Sequence, residues 1–421
     1  MTKDLPELVQ AGVITPQTAD DIRAYYAAKA VQAPNRLLLV SGILGALLIG
    51  LGIILIIAHN WDDLSRSVKT MLVFLPLLIS QGLAGYTLFK KRTSSAWRES
   101  TATLLFFSVG ATMALVSQVY HIPGNLSSFL LTWMLLCLPL VYLLSSSFAS
   151  LLYLAGITLF ALESGFGSYD SNLAYGYWPL LLLLVPYYRQ LFLLRPNSNV
   201  AVFHHWLLPL SLLLGLTTLL HATQEVLFIA YMSLLGIFSL VGNTGTLKDL
   251  PLRSNGYLFL GYLGSAGVLL AFTFKLLWVN VSRFEIVFLA PELIAAILLT
   301  GAAVALLLYK WQKRQGLHPM EYVFLFFILF FALAHVSVIA ATILTNILVL
   351  AIGLYTIRAG ARKDSLGLLN LGLLFITALI LLRFFDSNLS FVMRGLLFVL
   401  VGTGFFFANF FMLKKRNTYE A

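Results

Sequence analysis

The feature that most constrains this chain is a nearly unbroken succession of apolar stretches, each about as long as a bilayer is thick, joined by short polar segments. A helix needs roughly 20 apolar residues to cross the hydrocarbon core. Such stretches fall at 37–58, 70–89, 101–119, 127–144, 148–163, 177–194, 203–220, 224–241, 256–278, 285–309, 322–337, 340–357, 366–383 and 391–413. Backbone polar groups in lipid must be satisfied within the segment, which for stretches of this length means helices. The expected fold is therefore an all-α, polytopic membrane bundle of about 14 transmembrane helices. Composition excludes the soluble alternative, since 10% of residues are charged and 60% hydrophobic, where a soluble domain runs near a quarter charged.

Lys and Arg set the expected orientation. With the N-terminus inside, 21 of the 27 basic residues fall in inner segments and six in outer loops, the bias the positive-inside rule predicts. Deleting either half of 322–357 would put the last two basic clusters outside, so both halves are kept and both termini are expected in the cytoplasm. The net charge of +10 sits in dispersed clusters such as Lys90-Lys91-Arg92 and Lys414-Lys415-Arg416. That pattern reads as topology signal and contact with anionic membrane lipids rather than as a nucleic-acid surface. The single cysteine, Cys137, lies in an apolar span and builds neither a disulfide framework nor a cysteine metal site. No secretory leader is read at the start, so the first span is expected to remain as an anchor.

Three regions follow: a cytosolic helical hairpin at 1–36, a transmembrane domain at 37–413 and a cytosolic tail at 414–421. In the hairpin, Thr15 followed by Pro16 predicts a helix start with a hydroxyl N-cap. Ala19, Ile22, Tyr26 and Ala30 form its apolar stripe. This segment is expected to pack on the membrane domain or to dock a protein partner.

Polar residues are sorted unevenly by the expected topology. The inner loops are basic and otherwise plain. The outer loops collect His59, Asp62, Arg66, Lys69, Gln118, Tyr120, His121, Arg383, Asp386 and Arg394, with Asp63 or Ser65 as a helix cap. One reading is interfacial chemistry and capping. The other is one extracytoplasmic pocket in which the basic residues meet an anionic substrate and His and Asp relay protons or hold an ion. Within the spans, Glu292 beside Pro291 is the leading ionisable candidate, expected about two turns into its helix where proline would kink it. His335, Asn346, Asn370 and Asn409 are expected to be hydrogen-bond glue between helices. No Walker, HExxH, Ser-His-Asp, haem or quinone pattern is present, so no cofactor, metal site or catalytic residue is expected.

The segments Leu8-Val9-Gln10-Ala11-Gly12-Val13-Ile14-Thr15, Ile56-Ile57-Ala58-His59-Asn60-Trp61-Asp62 before Val68-Lys69, and Ser117-Gln118-Val119-Tyr120-His121-Ile122-Pro123-Gly124 carry a resemblance. Over about residues 5–165 the chain resembles the bacterial predicted membrane proteins grouped as domain of unknown function 2157. Leu64-Ser65-Arg66 departs from the proline common there. The resemblance implies a bacterial inner-membrane protein and transfers no activity. From the many-span bundle, the basic and His/Asp-bearing outer loops and Glu292 beside Pro291, function is expected to be that of a transporter or flippase-like protein for an anionic or lipid-linked envelope substrate. The alternatives are a membrane scaffold or sensor with a docking hairpin, and an enzyme acting on a lipid-linked substrate at the outer face.

Overall fold

A computed structural model describes residues 5–32, 61, 63–167, 171–196, 198–220, 224–283 and 287–386, with single positions between 392 and 410. The expected spans 37–58 and 391–413 lie outside these ranges. The chain divides into two compact units, Met1–Phe74 and Leu75–Ala421.

In the first unit, α1 (Leu5–Gln10) and α2 (Pro16–Gln32) form the expected hairpin. Gly12 at φ +68° takes the left-handed turn position that favours glycine. The Thr18 amide donates to Thr15 Oγ1 at 3.2 Å, so Thr15 caps α2 as its sequence predicts. Leu5 and Ala19 are buried, and the two helices contact each other. Ser65 rather than Asp63 caps α3 (Arg66–Lys90), accepting from the Val68 amide.

Among its described residues the second unit is built of helices joined by short connections, with no strand. After α3 come α4 (Ser95–Tyr120), α5 (Leu126–Leu143), α6 (Ser147–Leu162), α7 (Tyr177–Leu194), α8 (Asn199–Gly215) and α9 (Gln224–Gly242). Then follow α10 (Gly256–Ala271), α11 (Lys275–Ser282), α12 (Pro291–Gln312), α13 (Val323–Ala334), α14 (Val338–Arg362) and α15 (Leu366–Asp386). Among the described residues nine helices are long and apolar enough to cross a membrane, or ten if α10 and α11 form one crossing. The helix at 177–194 is present with the expected bounds, but Pro179, Pro186, Arg189 and Gln190 make it more polar than those nine.

Three expectations need correction. Residues 256–278 are not one straight helix: α10 and α11 meet at 86° across Phe272–Phe274. The stretch 285–309 begins its helix only at Pro291. Pro291 occupies the first helical position, where its missing N–H costs nothing, so it starts α12 instead of kinking it, and Glu292 sits in the first turn. The stretch 322–337 forms two-thirds of a span: α13 has 12 residues, about 18 Å at 1.5 Å per residue. It is separated from α14 by His335–Ser337, so 322–357 is two helices.

Two apolar cores organise the unit. One gathers α4 to α8 around Met134, Tyr153, Ile157, Phe160 and Leu184. The other gathers α9 to α15 around Phe238, Phe272, Trp278, Phe324 and Phe327. Close approach between α14 and α15 depends on glycine, because a Cβ on Gly372 would lie 2.7 Å from the Ile357 backbone nitrogen.

Candidate functional site

Side-chain contacts gather the connections of the second unit at two ends. At one end, Glu99 reaches the joint between α5 and α6, Tyr187 reaches Ser147, Trp206 reaches Arg253, and Asn243 reaches Glu321. This end carries the basic connections. At the other, Trp178 meets Thr218, and Thr273 meets Asn346 and Arg383.

The second end holds the broken helix. Bending α10 from α11 leaves carbonyls without helical partners, and in a low-dielectric setting each must find a donor. Trp278, fully buried, donates Nε1–H to the Phe272 carbonyl at 2.7 Å. Asn346 Nδ2 donates to the Thr273 carbonyl at 3.1 Å. Arg383, from the last turn of α15, donates Nη2–H to Thr273 Oγ1 at 3.3 Å and lies 4.8 Å over the Phe274 ring. Arg383 thereby places a half-buried guanidinium charge beside the break, a group whose planar fork suits recognition of an oxyanion.

Of the residues expected to share an outer pocket, Arg383 alone among the described ones is placed at this break. It is helical and half-buried, not a loop residue as the topology assigned. Asn346 joins it as interhelical glue, as expected. Glu292 is fully buried in the first turn of α12, in the pair that α12 makes with α9. Gln118, Tyr120 and His121 are exposed, and His121 takes φ +53° to terminate α4, its amide returning to the Ser117 carbonyl. The Ser117–Gly124 motif is thus a helix stop, followed by Asn125 capping α5. In the first unit Arg66 opens α3, and Lys69 lies 5.8 Å from the Trp61 ring centroid. His59, Asp62 and Arg394 lie outside the described residues, as does the Asp386 side chain. Among the described residues no group of three or more His, Cys, Asp and Glu assembles that could hold a metal.

The basic end is not plain, which corrects the reading of the inner loops. Lys310, in the last turn of α12, is buried, its Nζ 2.5 Å from Glu321 Oε1, with side-chain exposures of 3% and 1%. Asn243 donates Nδ2–H to the same oxygen at 2.7 Å, and to Tyr262 Oη at 2.8 Å. The His318 amide donates to Glu321 Oε2, and the His318 ring stacks on Tyr262 at 5.0 Å. Burial first, then the charges of Lys363 and Lys310, push His318 down to about 4, so it is neutral at pH 7. A cavity of about 200 Å³ adjoins this group, lined in part by Lys248, Gln315 and Gly316.

A second polar cluster at the basic end lies in α4 and α6 to α8. Both oxygens of Glu99 are committed: Oε1 accepts from the Ser147 amide, and Oε2 from Ser146 Oγ and the Phe148 amide. This caps α6 with a carboxylate, favoured by its helix dipole. His204 and His205 are fully buried, His204 Nε2 against Ser150 Oγ and His205 Nδ1 against Tyr188 Oη, both at 2.9 Å. Neither histidine is among the candidates that the sequence singles out. Two adjacent histidines inside an apolar stretch were the available signal. Lys310 was likewise read as a topology marker, and only its distance to Glu321 separates a buried cation from a surface one.

Residues 6–150 match the sequence model of a family described as Predicted membrane protein (DUF2157). The resemblance expected over about 5–165 therefore holds over these residues, which include the α1–α2 hairpin, the Ser117–Gly124 stop and the Glu99 cap. The Arg383 and Lys310 clusters lie beyond them. No curated protein and no solved structure matches the chain.

Proposed function

We propose that this chain is a transporter or flippase-like protein of the bacterial inner membrane that handles an anionic or lipid-linked envelope substrate. The observation that carries this reading is the break at Phe272–Phe274 with Arg383 lodged against it. Broken helices beside a half-buried cation are one way bundles present backbone dipoles and charge to an anion without exposing backbone to lipid. The orientation proposed with it is fourteen spans with both termini in the cytoplasm. Its supports are the 21-to-6 division of basic residues and the gathering of the basic connections at one end of the second unit.

The test is complementation of a deletion strain, with envelope lipids and glycans profiled and protein levels matched by immunoblot. Wild type restores the profile, while Arg383→Gln loses at least tenfold of the activity and Arg283→Gln, on the exposed turn after α11, retains it. Full complementation by Arg383→Gln, or a deletion that leaves envelope lipids and glycans unchanged, overturns the reading.

A second reading, a scaffold or sensor, draws on the α1–α2 hairpin. There Leu8, Val13 and Tyr25 are exposed at 37%, 67% and 62%, an apolar set suited to a protein partner. Under that reading, removing residues 1–33 abolishes function and Arg383→Gln is silent.

A further inference from the structure

The Lys310–Glu321 group does more than pin a connection. A pin needs a satisfied pair and no empty space, whereas here the pair borders a cavity of about 200 Å³. A water molecule's share of liquid is about 30 Å³, so the volume corresponds to several waters and suffices for a tetrahedral oxyanion.

The lining is weighted toward donors. Glu321 is the one carboxylate in it, and its oxygens already accept from Lys310, Asn243 and the His318 amide. An ammonium has three N–H groups, and the Glu321 bond uses one. Lys248, exposed at the cavity mouth, adds a second ammonium with no carboxylate in the lining to match it. Gln315 contributes a carboxamide. His318 Nδ1 accepts from the Met320 amide at 3.4 Å; in a neutral ring the remaining proton is then on Nε2, which makes that atom a donor. The excess of cationic and neutral donors over one already-saturated anion gives a positive, partly enclosed site.

We propose that this cavity binds a phosphate group, as inorganic phosphate or as the headgroup of an anionic phospholipid, with Lys248 and Lys310 as its charged contacts. Lys is a point-charge phosphate ligand that needs no planar geometry. The position suits either source, since the cavity opens between the 243–255 and 313–322 connections at the basic end, where the ends of α9 and α12 stop. This inference is independent of transport through the Arg383 break and stands or falls without it.

The experiment uses the full-length protein in two settings. In detergent, thermal unfolding is followed against inorganic phosphate, with sodium chloride at matched ionic strength as control. In nanodiscs, it is followed in pure phosphatidylcholine and with added phosphatidylglycerol. Lys248→Met removes the exposed contact without disturbing the buried pair. Lys313→Met is the control, a charge on the same connection whose Nζ lies 5.9 Å from the Tyr309 ring centroid and outside the cavity. Saturable stabilisation by phosphate, weakened at least tenfold in apparent affinity by Lys248→Met and not by Lys313→Met, assigns a free-phosphate site. The same variant pattern with phosphatidylglycerol alone assigns a lipid headgroup. No response to either probe, an equal response in Lys248→Met, or a response reproduced by sodium chloride overturns the proposal.

Discussion

Lys310 and Glu321 illustrate how far a residue's meaning depends on its neighbours. In the sequence, Lys310 is the first of three basic residues closing an apolar run. In the fold it is a buried cation whose charge is balanced by a carboxylate eleven positions later. Two ions removed from water lose hydration that their attraction only partly returns, so the pair as a whole adds little stability. Losing one partner is different, because it strands the other. Glu321→Gln and Lys310→Met are each expected to destabilise the protein by about 3–5 kcal/mol. The double variant Lys310→Met/Glu321→Gln strands no charge and is expected to cost less than the sum of the two single effects. Denaturant unfolding in detergent, arranged as a double-mutant cycle, measures the coupling; additive single effects would show that the two side chains do not form a pair.

At the scale of elements, the boundaries follow local chemistry where a cap or a proline is present. Thr15-Pro16 starts α2, Ser65 starts α3, Asn125 starts α5, and Pro291 starts α12. The bend between α10 and α11 has no such local signal. No proline lies within 256–278, and the run reads as one apolar span. The bend is held by Trp278, Asn346 and Arg383, donors drawn from three different helices. Packing between α14 and α15 is decided by glycines of which only some matter. Gly372→Val would drive a side chain into the Ile357 backbone, and overpacking of this kind costs about 1–3 kcal/mol. Gly367, on the same helix, has open space around its Cβ position, so Gly367→Ala is expected to be neutral or slightly stabilising. Thermal midpoints of the two variants should differ in that order, and equal midpoints would mean that α14 and α15 do not approach at Gly372.

For the whole molecule, alternation of helices places the connections at two ends, and the basic bias proposes which end faces the cytoplasm. Single cysteines in a Cys137→Ser background test this directly, since Cys137 is itself buried. Cysteines at Gln315 and Ser94 should be shielded from a membrane-impermeant thiol reagent added to intact cells, and cysteines at Ile122 and Val336 labelled. Labelling of Gln315 in intact cells would invert or break the proposed topology. The sequence by itself determined that this is a membrane protein built of helices and where nine membrane-length helices lie among the described residues, because apolar run length and the cost of unsatisfied backbone in lipid act locally along the chain. It also determined the start of α2 at Thr15-Pro16 and offered Ser65 as a cap for α3, since a cap lies within three residues of the groups it satisfies. Tertiary structure alone decided which polar residues meet. The expected outer pocket drew on residues that share one face by topology, yet Gln118, Tyr120 and His121 stay exposed while Arg383 turns inward. The polar clusters at Lys310, Glu99 and His204–His205 lie at the end whose loops read as plain in the sequence. The physical reason is that hydropathy reports the average environment of a segment, whereas burying one charge depends on whether a partner dozens of residues away arrives within hydrogen-bond reach.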